Sequence, residues 1–259
     1  MTLTTNNLCK HFDGTVALNR VNVELPPGRV TAVVGGNGAG KTTLFLAIAG
    51  YIGPDSGDVT LSNSNPDVLK QQIGKLLPHE RAQRGIGMLF QDIRVFPKLS
   101  VLENVLVGFP QQSGERVWNA IFRTRLVDDD EKSHTEDARR WLDYVGLTDQ
   151  TDVWAGQLSY GQQKLLAIAR LLAANAKVLL LDEPTAGIHP SMIDRLLELV
   201  RKLSAEEGRS VAIIEHNPDV VRRVAHRVYT MNAGSITDLS VREEANGANT
   251  SKSVNILSS

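Results

Sequence analysis

The spacing of hydrophobic positions changes along the chain, and the changes divide it into parts. Near the N-terminus Val21, Val23 and Leu25 alternate with polar neighbours after an Asp13-Gly14 pair. That pattern predicts a β-hairpin with a tight turn, ended by Pro26-Pro27-Gly28. Val30-Thr31-Ala32-Val33-Val34 then runs on without a polar face, as a strand covered on both sides does. A Gly-rich turn and a helical segment from about Lys41 to Ala49 complete a first βα unit.

From Arg94 to Gln157 the period becomes helical. Leu102, Val105 and Leu106 recur on one face, as do Ala138, Trp141, Leu142 and Val145. The run Asp128-Asp129-Asp130-Glu131 between them lacks the spacing of metal ligands and reads as a solvated loop or helix start. This region is expected to be a helical subdomain, about 92–157, inserted into an α/β core. Beyond it Ser159 to Ala174 reads as a helix, Lys177 to Leu181 as a strand and Ser191 to Ser204 as a helix with Gly208 near its end. Ser210 to Ile214 is a further strand. Strands alternating with helices imply an α/β fold with a mostly parallel sheet. Residues 1–240 are expected to form one domain, and the Ser- and Asn-rich 241–259 a flexible polar tail.

Composition narrows the function. Of the 259 residues 42% are hydrophobic, enough for a substantial core, and the formal net charge of −1 argues against a general nucleic-acid binder. Cys9 is the only cysteine, so no intramolecular disulfide forms and a reducing compartment fits; its side chain is expected to be small, apolar and buried. No run approaches the roughly 18–20 apolar residues of a membrane helix, and Met1 to His11 lacks the layout of a signal peptide. The expected protein is cytoplasmic and forms no channel itself.

Two motifs carry chemistry. Gly35-Gly36-Asn37-Gly38-Ala39-Gly40-Lys41-Thr42 fits the phosphate-binding P-loop at every specified position, after a strand and before a helix. Its glycines let backbone N–H groups and a helix N-terminus turn toward phosphates, Lys41 would reach the β- and γ-phosphates, and the Thr42 hydroxyl would ligate Mg²⁺. Thr43 is taken with the same nucleotide contacts. The apolar strand Val178-Leu179-Leu180-Leu181 ends in Asp182-Glu183, two carboxylates that are costly to bury unless paired or near a metal. Asp182 is placed to hold Mg²⁺ and Glu183 to polarise the attacking water.

Leu158-Ser159-Tyr160-Gly161-Gln162, preceding that strand, resembles the signature of ATP-binding-cassette (ABC) ATPases, and the resemblance runs from about Leu3 to Leu239. It implies a P-loop NTPase (RecA-like) core with an N-terminal antiparallel β subdomain and the inserted helical subdomain. It implies hydrolysis of ATP with Mg²⁺, in a head-to-tail dimer where Ser159, Gly161 and Gln162 face the P-loop of a second cassette, identical or different. Gln91 is similar to the Q-loop glutamine that contacts Mg²⁺ and water. His216 is similar to the switch histidine near the γ-phosphate, and Phe12 to the aromatic that stacks on adenine.

Finer details are similar to the ATPase subunits of branched-chain amino acid, amide and urea importers. These are Tyr160 within the signature, Arg84-Gly85-Ile86-Gly87 before Gln91, Val95-Phe96-Pro97, Ser100 to Val105, and Glu215 before His216. His189 departs from the pattern, standing where most cassettes place Asp, and the C-terminus lacks an aliphatic and aromatic ending. The resemblance implies a motor lying on the inner face of a cell membrane, with separate permease chains receiving at Arg94 to Val105 and an extracytoplasmic solute-binding protein in the full system. Two alternatives are an exporter ATPase for envelope lipid or polysaccharide, and a soluble cassette acting on ribosomes or DNA.

Overall fold

The run at Val30–Val34, apolar but for Thr31, becomes strand β4, and its neighbours show why it needs no polar face. The computed structural model describes residues 1–62, 70–110 and 124–241, except the side chains of 124–131 and 240–241. In chain order the strands are β1 (Thr2–Phe12), β2 (Thr15–Val21), β3 (Glu24–Leu25), β4 (Val30–Val34), β5 (Ser56–Ser62), β6 (Gln71–Gln72), β7 (Ile86–Leu89), β8 (Val178–Asp182), β9 (Ser210–Ile214), β10 (Arg227–Asn232) and β11 (Ser235–Val241). The α-helices are α1 (Lys41–Ala49), α2 (Pro78–Gln83), α3 (Val101–Leu106), α4 (Thr124–Val145), α5 (Tyr160–Ala173), α6 (Pro190–Ala205) and α7 (Pro218–Val224). The tail beyond residue 241 lies outside the described residues, and the acidic run at 128–131 falls inside α4.

Six strands form the central sheet in the order β11-β10-β4-β9-β8-β7. Every pair from β10 to β7 is parallel, and β11 closes one edge antiparallel. The strand period of two splits the buried residues between the two faces. Ala32, Leu179, Leu181, Val211 and Ile213 join a core with α3 through α7. Val33, Leu180, Ala212 and Ile214 point the other way, into a core with α1 and the N-terminal strands. Those strands form a second, antiparallel sheet, β2-β1-β5-β6 with β3 against β1. The hairpin turns at Asp13 (φ 44°) and Gly14 (φ 85°), the left-handed pair that a two-residue turn needs.

Two expectations change in detail, and His189 gains a structural role. Cys9 is half-buried rather than buried, because the β1–β2 ladder shifts register beside it. There its sulfur accepts the Arg20 N–H at 3.3 Å. Helix α6 ends at Ala205, so Gly208 (φ 62°) turns the following link instead of the helix end. His189 N-caps α6: its Nδ1 accepts the Ser191 N–H at 3.3 Å, a bond that a capping Asp carboxylate could equally make.

One buried cation ties α1 to α2. Arg81 is 1% exposed, and its guanidinium donates to the carbonyls of Ala47, Ile48, Gly74 and Leu76 at 2.6–3.0 Å. Arg81→Leu is expected to destabilise the fold by about 3 kcal/mol or more, since each carbonyl left buried and unpaired costs about 1 kcal/mol upward. Chemical denaturation checks this; a change within 0.5 kcal/mol, roughly the scale of a neutral surface substitution, would contradict it.

Candidate functional site

Four parallel strands deliver the candidate residues to one edge. The loops after β4, β7, β8 and β9 all leave the sheet at its carboxyl end, where open α/β sheets place their ligand crevice. Those loops carry Gly35 to Thr43, Gln91, Glu183 and His216. A cleft of about 690 Å³ opens there. Thr15, Val16 and Ala17 of the hairpin form one wall, Asn37 through Thr43 the floor, and Gln91, Glu183 and His216 the far side.

The floor requires glycine at defined points. Gly40 sits at φ 104° before α1, where a Cβ would run into the Ala17 carbonyl, and a Cβ on Gly35 would run into that of Met231. The loop therefore lies tight against the hairpin and β10. Lys41, 6% exposed, folds back and donates from Nζ to the carbonyls of Gly35 at 2.9 Å and Gly36 at 2.8 Å. Burial lowers its ammonium pKa, while the Glu183 and Asp182 carboxylates oppose that shift.

Asp182 closes β8 at 2% exposure, and its Oδ1 is buried without a hydrogen-bond partner. Burial raises its pKa, opposed by a hydrogen bond from the Thr42 hydroxyl and by the Lys41 and His216 charges. An orphaned carboxylate oxygen beside a hydroxyl fits a hard divalent cation whose shell is completed by phosphate oxygens and water. Glu183 follows at φ 48°, an unusual left-handed conformation for a side-chain residue, with its N–H donating to Ile214 at 3.1 Å. The Gln91 amide donates to its Oε2 at 3.1 Å, and His216 Nε2 lies 3.0 Å from Oε1. A carboxylate held on both oxygens beside a phosphate floor can orient and deprotonate a water molecule.

Other named residues stand apart from this cleft. Phe12 pairs with Thr15 across the hairpin turn, 43% exposed beneath the Lys10 ammonium, and does not line it. Ser159 N-caps α5 in a reciprocal box: its hydroxyl accepts the Gln162 N–H at 3.3 Å, and Gln162 Oε1 accepts the Ser159 N–H at 2.9 Å. Ser159, Gly161 and Gln162 are not in the cleft wall, so these residues and their own chain's P-loop do not meet.

Two buried ions stand behind the site: Glu215, named above only as a point of resemblance, and Lys164, not named at all. Glu215 Oε1 accepts the Thr185 N–H at 3.0 Å and its hydroxyl at 2.7 Å. Lys164, 1% exposed, donates to the carbonyls of Glu183 and Ala186, both at 2.8 Å, and burial pulls its pKa down to about 8. A lysine three helical turns from an apolar end gives no local sign of this. The clue available was position: on the expected α5 it falls one turn after Tyr160, on the same face.

The family profile described as ABC transporter matches residues 18–186, spanning the P-loop, Gln91, the signature and Asp182-Glu183. The chain belongs to the ABC transporter family. It is 32% identical over 233 residues to the high-affinity branched-chain amino acid transport ATP-binding protein LivG of Escherichia coli strain K12, covering 90% of this cassette and 89% of LivG. The probable LivG of Archaeoglobus fulgidus is 37% identical over 238 residues, covering 90% and 87%. Among solved structures, a nucleotide-free ATP-binding cassette from an ABC transporter superposes with TM-score 0.76 at 34% identity, covering 91% and 90%. A dimeric post-hydrolysis cassette bound to ADP and Pi superposes with TM-score 0.74 at 26% identity, covering 93% and 99%. This cassette is thus a nucleotide-binding ATPase. Among its described residues no helix is long and apolar enough to cross a membrane.

Proposed function

We propose that this cassette hydrolyses ATP to power import of small polar solutes, branched-chain amino acids or their amide and urea counterparts, through separate permease chains. The observation that carries this is the match to the two LivG proteins over about nine-tenths of both chains. The tyrosine inside the signature and the Glu215-His216 pair support it. The L-cystine transport ATP-binding protein TcyN of Escherichia coli, 33% identical over 232 residues, keeps the cargo within the same chemical class.

In the proposed cycle backbone N–H groups from Gly36 to Thr43 and the Lys41 ammonium bind the phosphates. Asp182, Thr42 and Gln91 would hold Mg²⁺, which neutralises phosphate charge when bound. Glu183 takes a proton from water at its carboxylate, steadied by the Gln91 amide and the His216 imidazole. Phe12 lies outside the cleft lining but pairs with Thr15 of its wall, and its ring would offer a face to adenine. Ser159, Gly161 and Gln162 complete the site of a second cassette, identical or related. This is positioning and electrostatics more than covalent chemistry.

The permease would dock on 94–105, within the inserted segment 92–157. Asn104, fully buried, holds that surface in shape: its amide donates to the carbonyls of Phe96 at 3.0 Å and Ser100 at 2.9 Å, and its oxygen accepts the Phe96 N–H at 2.8 Å. Phe96, 44% exposed, presents an apolar face there. The cassette would then lie on the inner face of the membrane, and an extracytoplasmic binding protein would supply solute.

Isolation of a tagged Glu183→Gln cassette with ATP from gently solubilised host membranes tests the proposal. A polytopic permease with a solute-binding protein is the expected company. A permease tied to envelope lipids, or ribosomes or DNA with no membrane chain, would overturn it.

A further inference from the structure

The turn after β8 is gripped from behind by α5, the helix whose N-terminus is the signature. Residues 183–186 close on themselves, with the Ala186 N–H donating to the Glu183 carbonyl at 3.2 Å. Lys164 Nζ reaches the carbonyls at both ends of that turn, Glu183 and Ala186. From the opposite side Glu215 holds its middle through Thr185. The ammonium is thus committed to the backbone of the residue whose side chain faces the cleft, and it touches none of the nucleotide floor.

One turn earlier on the same helix face stands Tyr160. Its hydroxyl donates to the Gln91 carbonyl at 3.1 Å, and its ring lies 5.2 Å from the Lys164 ammonium. A Cβ on Gly187 would be 3.3 Å from that ring, so Tyr160 also packs against the segment following the turn. Ser159 caps the same helix. One helix end therefore carries the signature, a hydrogen bond to the Gln91 carbonyl and two hydrogen bonds to the Glu183 turn.

The geometry points to Lys164 as a positioning residue for hydrolysis. It fixes the left-handed backbone of Glu183 to the signature helix, so a displacement of that helix by a second cassette's nucleotide moves the Glu183 carboxylate. This rests on the proposed role of Glu183. An aliphatic side chain at 164 leaves both carbonyls without their cation and frees Glu183 to leave φ 48°, a strained conformation that persists only where its surroundings over-determine it. A misplacement of about 1 Å at a reacting group costs on the order of 100-fold in rate.

The test compares wild type, Lys164→Met, Lys164→Gln and Glu183→Gln by steady-state ATP turnover, equilibrium binding of a fluorescent ATP analogue and thermal melting. Lys164→Met is expected to lose kcat by roughly 10- to 100-fold, with KM and analogue affinity within about twofold of wild type, a split that mere loosening of the fold does not give. Lys164→Gln, which keeps a neutral NH₂ donor group but loses the charge, is expected to fall between, and it carries the test if the methionine variant fails to fold. A folded variant of either kind turning over at the wild-type kcat would overturn the assignment. So would kcat and nucleotide affinity falling in step. If Glu183→Gln is inactive while Lys164→Met is not, the positioning role alone fails; if Glu183→Gln turns over normally, the role of Glu183 falls first.

Discussion

Glu183→Gln is expected to keep ATP binding while lowering turnover by about two to four orders of magnitude, the span of a lost general base. The change is close to isosteric. The amide retains an oxygen for the Gln91 donor at 3.1 Å and a polar group for His216 at 3.0 Å, so the wall of the cleft persists. The floor is untouched, because Lys41 is held by the Gly35 carbonyl and the loop glycines lie against Ala17 and Met231. What disappears is a carboxylate that can hold a proton at the moment water attacks. Parallel measurement of phosphate release and equilibrium nucleotide binding separates the two effects. A variant that loses affinity in proportion to rate would place Glu183 in binding instead.

The second large effect is expected at Lys41, and in the opposite parameter. Lys41→Ala should weaken ATP affinity by roughly 10- to 100-fold, since a hydrogen bond to a charged group is worth about 1.5–3 kcal/mol and about 1.4 kcal/mol is tenfold. The ammonium donates to the Gly35 and Gly36 carbonyls, contacts a phosphate would replace. Both of its hydrogen bonds lie within the loop, so the fold should survive. Calorimetric titration under non-hydrolysing conditions gives the affinity directly; a value within twofold of wild type would contradict the assignment.

Much of this site was legible because it is written in short runs. The P-loop, Asp182-Glu183 and His216 each follow an apolar strand, and a parallel sheet brings such strand ends to one edge without further information. Strands Val30–Val34 and Ser210–Ile214 and helix Lys41–Ala49 fall where their patterns predict, since their apolar runs are bounded by Gly and Pro. The bonds that shape the site were not legible. Lys164 to Glu183 spans 19 residues, Thr185 to Glu215 spans 30, and Tyr160 to Gln91 spans 69. Each joins a polar side chain to a partner that only tertiary packing supplies. Arg81 was hidden for the same reason, since four carbonyls from two separate segments make its environment. Cys9 was misjudged because a register shift in β1, which no pattern announces, brings it toward the surface.

The central claim is that the cleft around Lys41, Asp182 and Glu183 is the hydrolytic centre of a transporter motor. The most direct measurement is phosphate release from ATP by the membrane complex carrying wild-type cassette, against the same complex carrying Glu183→Gln. Saturable release that the substitution suppresses while ATP remains bound is the expected result. Release at the full wild-type rate from the Glu183→Gln complex would contradict it.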